Sequence, residues 1–266
     1  MERGGLSASR YDPGRPKAHH LSVLCAQGVT AWAVQGIERG ELLALHWSTG
    51  ADVLHDPALP LHPVSVSFIT LPEWSTMVPE GVLEPGTEAA HLALVHGGMP
   101  SGAMRDEPVR SLGAKCIYVH DDMTERAVLE RLPSARALPM QGLMVRGAIA
   151  RSHDGPVALV HRSTDRVDIA IADHGRVLLS NTFPARTGQD LLYFTLLALE
   201  QCGLSPKGTT VYMSGTHLSD GERNLLGRFL DRMRPAMDDL PADLGATEPV
   251  KGDRWLALLE QFACVS

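Results

Sequence analysis

Several features that would assign a function outright are missing from this chain. It has no Cys-x-x-Cys pair. Its four cysteines, Cys25, Cys116, Cys202 and Cys264, each lie in an apolar stretch, and no Cys or His pair has zinc-finger spacing. They read as free thiols of a reducing compartment, with no metal site. No apolar run reaches the roughly 18 residues of a membrane helix. Met1 to His20 is rich in Gly, Ser, Arg and Pro and has no apolar core, so it does not read as a secretory signal. An excess of positive charge is also lacking: the net charge is -7. General nucleic-acid binding, which needs clustered Lys and Arg, is disfavoured. The expectation is a cytoplasmic protein that binds no nucleic acid and does not enter a membrane.

Catalytic signatures are equally scarce. There is no Gly-x-Ser-x-Gly elbow. Gly97-Gly98-Met99-Pro100-Ser101-Gly102 is glycine-rich but lacks the Gly-Lys-Ser/Thr ending of a phosphate-binding Walker loop, and reads as a flexible loop. Asp121-Asp122 precedes a helix and reads as a dipole partner for its first turn. His153, His161 and His174, with Asp154, Asp165 and Asp168, are spread over strands and turns and read as solvent-facing.

What is present is a mixed α/β chain of 266 residues, with 44% hydrophobic and 21% charged residues. Leu21 to Val34 reads as two strands turning at Gln27-Gly28, and Glu41 to Trp47 as a third. Val64 to Leu71 reads as a strand. Pro72 is expected to open a short helix carrying Trp74 and Met77. Ala90 to Val95 reads as a strand, Gly97 to Gly113 as a long loop, Ala114 to Val119 as a strand, and Thr124 to Leu132 and Leu143 to Arg151 as helices.

The later part is more regular. Strands are expected at Pro156 to Arg162, Arg166 to Ala172 and Arg176 to Phe183, with a hairpin turn at Asp173-His174-Gly175. Thr187-Gly188-Gln189-Asp190 has capping-box spacing and opens a helix to Cys202, apolar almost all round and so expected to be buried. Thr209 to Ser214 follows as a strand. Ser219-Asp220-Gly221-Glu222 is a second capping box, opening a helix with Leu225, Leu226, Phe229, Leu230 and Met233 on one stripe. Pro235 to Asp253 reads as a loop and Trp255 to Phe262 as a last helix.

Three meandering strands, a helix, a strand and a helix are the repeat unit of the ribonuclease-H-like fold. The first part follows the same order less clearly. The expected fold class is α/β: two tandem ribonuclease-H-like halves in an actin-like arrangement, as in the actin, hexokinase and Hsp70 superfamily. The expected division is a flexible tail at 1–20, a first half at 21–152 and a second half at 153–266.

Asn181-Thr182-Phe183, then Thr187, Asp190, Leu192 and Tyr193, resembles a signature of domain-of-unknown-function family 3822, a bacterial family with an actin-like ATPase fold. Leu21-Ser22-Val23, Phe68-Ile69-Thr70-Leu71-Pro72-Glu73 and Gly215 are similar to it as well. The resemblance implies a fold and no reaction, and it supplies no catalytic residues.

Active actin-like ATPases carry an Asp-x-Gly turn between the first two strands of each half. Here the first turn offers Gln27 and Gly28, with a neutral amide where an acid is expected. The second offers Thr164 and Asp165, with no glycine and a late acid. The nucleoside turn offers Ser214 and Gly215, one glycine where two are usual. These six residues are the candidate nucleotide-loop positions, in degenerate form. No catalytic residue, metal ligand or cofactor is assigned. Asp121, Asp122 and Asp168 are the acids that would have to substitute. The favoured reading is a non-catalytic adaptor or scaffold, a pseudo-ATPase with an unknown protein partner. The alternatives are a nucleotide or small-molecule sensor and a divergent ATP-dependent phosphotransferase, both using the cleft between the halves.

Overall fold

The structure is a computed structural model and describes residues 3–15, 18–60, 62–99, 101–246 and 248–264. Pro100, in the glycine-rich segment singled out above, lies outside them.

Alternation of apolar and small residues builds the first sheet from β1 (Gly4–Ser7), β2 (His19–Ala26), β3 (Val29–Gly36), β4 (Leu42–Ser48) and β5 (Ser65–Thr70). Strands β2, β3 and β4 form an antiparallel meander, and β5 runs parallel to β2. β1 closes one edge against β4. Three further strands form a separate antiparallel sheet in the order β6-β8-β7: β6 (Glu73–Pro79), β7 (Met104–Val109) and β8 (Ala114–His120). Between β6 and β7 runs α1 (Glu88–His96). The chain returns through α2 (Asp122–Arg131) and β9 (Arg136–Ala137), which pairs parallel to β5. α3 (Met140–Arg151) leads into the second large sheet.

That sheet has the order β12-β11-β10-β13-β14, from β10 (Val157–Arg162), β11 (Arg166–Asp173), β12 (Arg176–Pro184), β13 (Thr210–Ser214) and β14 (Met233–Pro235). Its antiparallel meander followed by two parallel strands repeats the order β4-β3-β2-β5-β9 of the first sheet. The turn between β11 and β12 has φ of 47° at His174 and 77° at Gly175, the two positive angles that a two-residue hairpin needs. α4 (Gly188–Gln201) and α5 (Asp220–Leu226) cover the outer face, each opened by a complete capping box, at Thr187/Asp190 and Ser219/Glu222.

One apolar core joins the two large sheets. Leu24, Ala31, Leu45 and Ile69 from the first meet Leu159, Ala170 and Ala172 from the second, with α3 and α6 (Leu256–Leu259) between them. α6 packs on β2, β3 and β5. Gln261, just beyond it, donates to the Val23 carbonyl at 2.9 Å and accepts from the Ser67 hydroxyl at 2.8 Å.

Several expectations need correction. Glu73–Pro79 is a strand, because Ser75, Thr76 and Val78 suit a pleated surface and pair with β8. Glu88–His96 is a helix that ends at Gly97, whose φ of 74° suits a C-terminal cap. The expected loop at 97–113 contains β7. The tail is not free along its length: Gly4–Ser7 pair with β4, and His20 is fully buried in β2. The final helix, assigned by sequence to the second half, packs on the first sheet. α5 stops at Leu226, and Met233 opens β14. α4 is amphipathic rather than buried all round: Leu191, Thr195, Ala198 and Leu199 are inside, and Tyr193 is exposed.

Candidate functional site

The three candidate turns converge where the two large sheets meet. Gln27 and Gly28 form the β2–β3 turn, Thr164 and Asp165 the β10–β11 turn, and Ser214 and Gly215 end β13. The Thr164 hydroxyl donates to the Gln27 carbonyl at 3.1 Å, across 137 residues of chain. His217 stands behind this contact, with Nε2 3.3 Å from the Thr164 hydroxyl and Nδ1 3.0 Å from that of Thr216. A methyl group at Gly28 would lie 3.7 Å from His217 Nε2. Partial burial, reinforced by the nearby guanidinium groups of Arg162 and Arg254, lowers the His217 pKa and favours the neutral ring.

Ser214 is fully buried, its hydroxyl held 3.2 Å from the Val160 carbonyl and 3.0 Å from His161 Nδ1. Gly215 has φ of 135°, and a Cβ there would fall 2.1 Å from the Arg162 carbonyl oxygen. Its glycine therefore permits a close backbone crossing. Asp165 is exposed, and its carbonyl accepts the Ala185 N–H at 2.8 Å, a turn role.

The three acids named as substitutes are each engaged. Asp168 is 2% exposed and paired with Arg166, and its Oδ1 also accepts the Thr182 hydroxyl at 2.6 Å. Asp121 caps α2 through Thr124, and Asp122 pairs with Arg126 four residues on. The expectation that His161 and Asp168 face solvent is wrong. They are directly opposed on β10 and β11, and both are buried. Desolvation pushes the His161 pKa down to about 4.

Two groups were missed by sequence reasoning. Arg162 is buried behind the second turn, where it donates to the Ala185 carbonyl at 2.8 Å and to Glu222 at 3.1 Å. A cation ending the apolar run Val157–His161 was the available signal. The other is a buried chain of charges, in which fully buried His120 lies between Glu73 at 3.5 Å and Glu125 at 3.6 Å. Glu125 is held in turn by both guanidinium nitrogens of Arg105, at 2.7 and 2.8 Å. Burial opposes charge on His120, but the two carboxylates outweigh it and raise its pKa. Among the described residues no cluster of three or more His, Cys, Asp or Glu has the arrangement of a metal site.

One cavity opens beside the Gly215 turn. Its volume is about 400 Å³, and Trp47, Thr216, Arg223, Lys251, Arg254 and Trp255 line it. Its charges are largely paired: Arg223 with Asp253 and Lys251 with Asp220, both at 2.8 Å.

The sequence matches the model of a family described as "Protein of unknown function (DUF3822)" over residues 66–228, more than half of the chain. The chain belongs to this family. No curated protein matches the sequence. Among solved structures, a Bacteroides thetaiotaomicron protein described as having an actin-like ATPase fold and unknown function is 18% identical. It superposes with a TM-score of 0.72, covering 82% of this chain and 91% of that one. A chain of the PilM–PilN type IV pilus biogenesis complex is 12% identical, with a TM-score of 0.56 and coverage of 94% and 99%. The DUF3822 chain thus has the actin-like ATPase fold. The residues that carried the family resemblance have structural work in it: Thr182 holds Asp168, Thr187 and Asp190 cap α4, and Glu73 receives two N–H groups of α3.

Proposed function

We propose that this DUF3822 protein is a non-catalytic adaptor or scaffold whose nucleotide cleft is degenerate. The supporting observation is the hydrogen bond from Thr164 to the Gln27 carbonyl, backed by His217. In actin-like ATPases the phosphates lie between these two turns, and the turns here touch. Gln27 brings no anionic oxygen for Mg²⁺, and phosphoryl transfer depends on a held metal and positioned donors. We assign another protein as its ligand. A chain of similar fold is part of the PilM–PilN complex. We place the protein in the cytoplasm, in keeping with its four unpaired thiols. Among the described residues no helix is long and apolar enough to cross a membrane. We retain residue 152 as the boundary between the halves, with α6 packed back on the first.

The test is a melting-temperature measurement with millimolar Mg-ATP beside a phosphate-release assay. A ligand of the folded state raises the melting temperature by mass action. No shift and no release are expected. Release that is lost on replacing Asp168, Asp121 or Asp122 overturns the proposal. The cavity beside Gly215 supports a second reading, a small-molecule or nucleotide sensor without turnover. A shift without phosphate release selects that reading.

A further inference from the structure

β12 is an edge strand, paired on one side only with β11. At nine residues it is the longest strand among those described. The remaining sheet edges are blunted in the ways natural sheets use against unwanted pairing. β1, β9 and β14 have four, two and three residues. β7 carries Arg105, Asp106, Glu107 and Pro108. β6 has α1 packed along it and exposes Pro79 alone. β12 is less protected: α3 packs against one face of it and Gln141 donates to the Ser180 carbonyl, but Val177–Phe183 contains no charge and no proline, and Leu178 and Asn181 are exposed.

The adjoining surface is aromatic. Aromatic residues make up only 5% of the chain, yet three meet here. Phe183 of β12 stacks on Phe194 of α4 at 4.9 Å between ring centroids, and Tyr193 meets Phe194 edge-on at 5.1 Å. Tyr193 is 60% exposed and Leu178 46%. Rigid aromatic side chains with apolar neighbours are the usual anchors of protein interfaces.

We propose that β12 pairs antiparallel with β12 of a second copy across a two-fold axis, joining two five-stranded sheets into one of ten strands. The strand is compatible with itself. Its one charge, Arg176, lies at one end, so antiparallel pairing sets the two arginines at opposite ends of the seam. No like charges face each other along the middle, where they would oppose pairing. A two-fold axis perpendicular to the sheet keeps both α4 helices on the same face. The Phe183, Phe194 and Tyr193 groups of the two copies then flank the seam from one side. Pairing exchanges the side-chain partners of two edge groups, Asn181 on the Thr182 N–H and Gln141 on the Ser180 carbonyl, for backbone ones. The inference does not depend on the state of the nucleotide cleft.

Sedimentation equilibrium of the full chain at tens of micromolar tests it, because a dimer is concentration-dependent. The expected mass is twice the 28.7 kDa of one chain. A Leu178→Lys, Tyr193→Glu double variant, changed at exposed positions only, is expected to sediment as a monomer with an unchanged far-UV circular dichroism spectrum. Hydrogen exchange on the unaltered protein covers the case of a variant that fails to fold. Amides of Val177–Phe183 are expected to gain protection as concentration rises. A monomeric wild type overturns the proposal and leaves the edge to a strand from another protein. A folded double variant that remains dimeric, or exchange at Val177–Phe183 that is independent of concentration, overturns it as well.

Discussion

The carboxylate of Glu73 accepts the backbone N–H of Met140 at 2.6 Å. A residue that begins the small sheet thereby caps the first turn of α3, and it does so with a fully buried side chain that also faces His120. Glu73→Ala leaves free N–H groups of α3 in the interior and takes from His120 one of its two carboxylate partners. Breaking one side of a buried charge pair costs about 3–5 kcal/mol. Equilibrium urea unfolding at pH 7 is expected to show a loss of that order, and a loss below about 1 kcal/mol would show that Glu73 is not holding this junction.

The close crossing at Gly215 makes a second substitution severe. Gly215→Ala sets a methyl group 2.1 Å from a backbone oxygen that has no rotamer to escape with. The expected result is poor soluble yield, or a loss well above the ~1–2 kcal/mol that a left-handed backbone angle costs an ordinary residue. Gly28→Ala, whose nearest neighbour is 3.7 Å away, should cost only that conformational amount. Similar melting temperatures for the two variants would contradict the difference.

Thr187 accepts the Asp190 N–H at 3.1 Å, and Asp190 accepts the Thr187 N–H at 2.9 Å. Thr187→Ala removes one arm of this reciprocal cap and should cost about 1 kcal/mol. Thr187→Ser should recover most of it. A change of a few tenths for the alanine variant would count against the cap.

Acid stability follows from two buried imidazoles. Burial lowers the His20 and His161 pKa values from 6.5 to about 4. The unfolded chain then binds protons that the folded one refuses. Stability is complete above pH 6.5 and falls as pH drops toward 4, by about 1.4 kcal/mol per pH unit for each histidine. His120 has the opposite sign: its pKa is raised, so its contribution is lost as pH rises through the folded value. Melting temperature should therefore peak near neutrality. His161→Gln should show a shallower decline between pH 6.5 and 5, and an unchanged slope would exclude His161 as a source.

The second half was legible because its signals were local and mutually consistent. Strand alternation, His174-Gly175 at the hairpin and two capping boxes all pointed to the elements found. The first half was harder because its small sheet is non-local. β6 has little to mark it as a strand until β8 lies beside it, forty residues on. Ala90 to Val95 is a short apolar run of the kind periodicity cannot classify, and Thr87 and Gly97 on either side were the better guides. The candidate loops could be placed from sequence because each sits at a turn. Their contact could not, because it depends on how one sheet is set against another. The burial of His161 and Asp168 does not follow from strand alternation, which spreads the candidates over faces and turns; the pairing of β10 with β11 sets these two opposite each other. Arg166, two residues away on the same strand, neutralises the acid.

The return of α6 to the first sheet has a consequence for biosynthesis. Leu24 and Ile69 lie in the core that Leu256 and Leu258 complete, and Gln261 ties this segment to Val23 and Ser67. A nascent chain released as far as β5 holds that apolar face uncovered until almost two hundred further residues have left the ribosome. The earliest strands to emerge must therefore wait for the latest helix, and chaperone capture during that interval is the risk this topology carries.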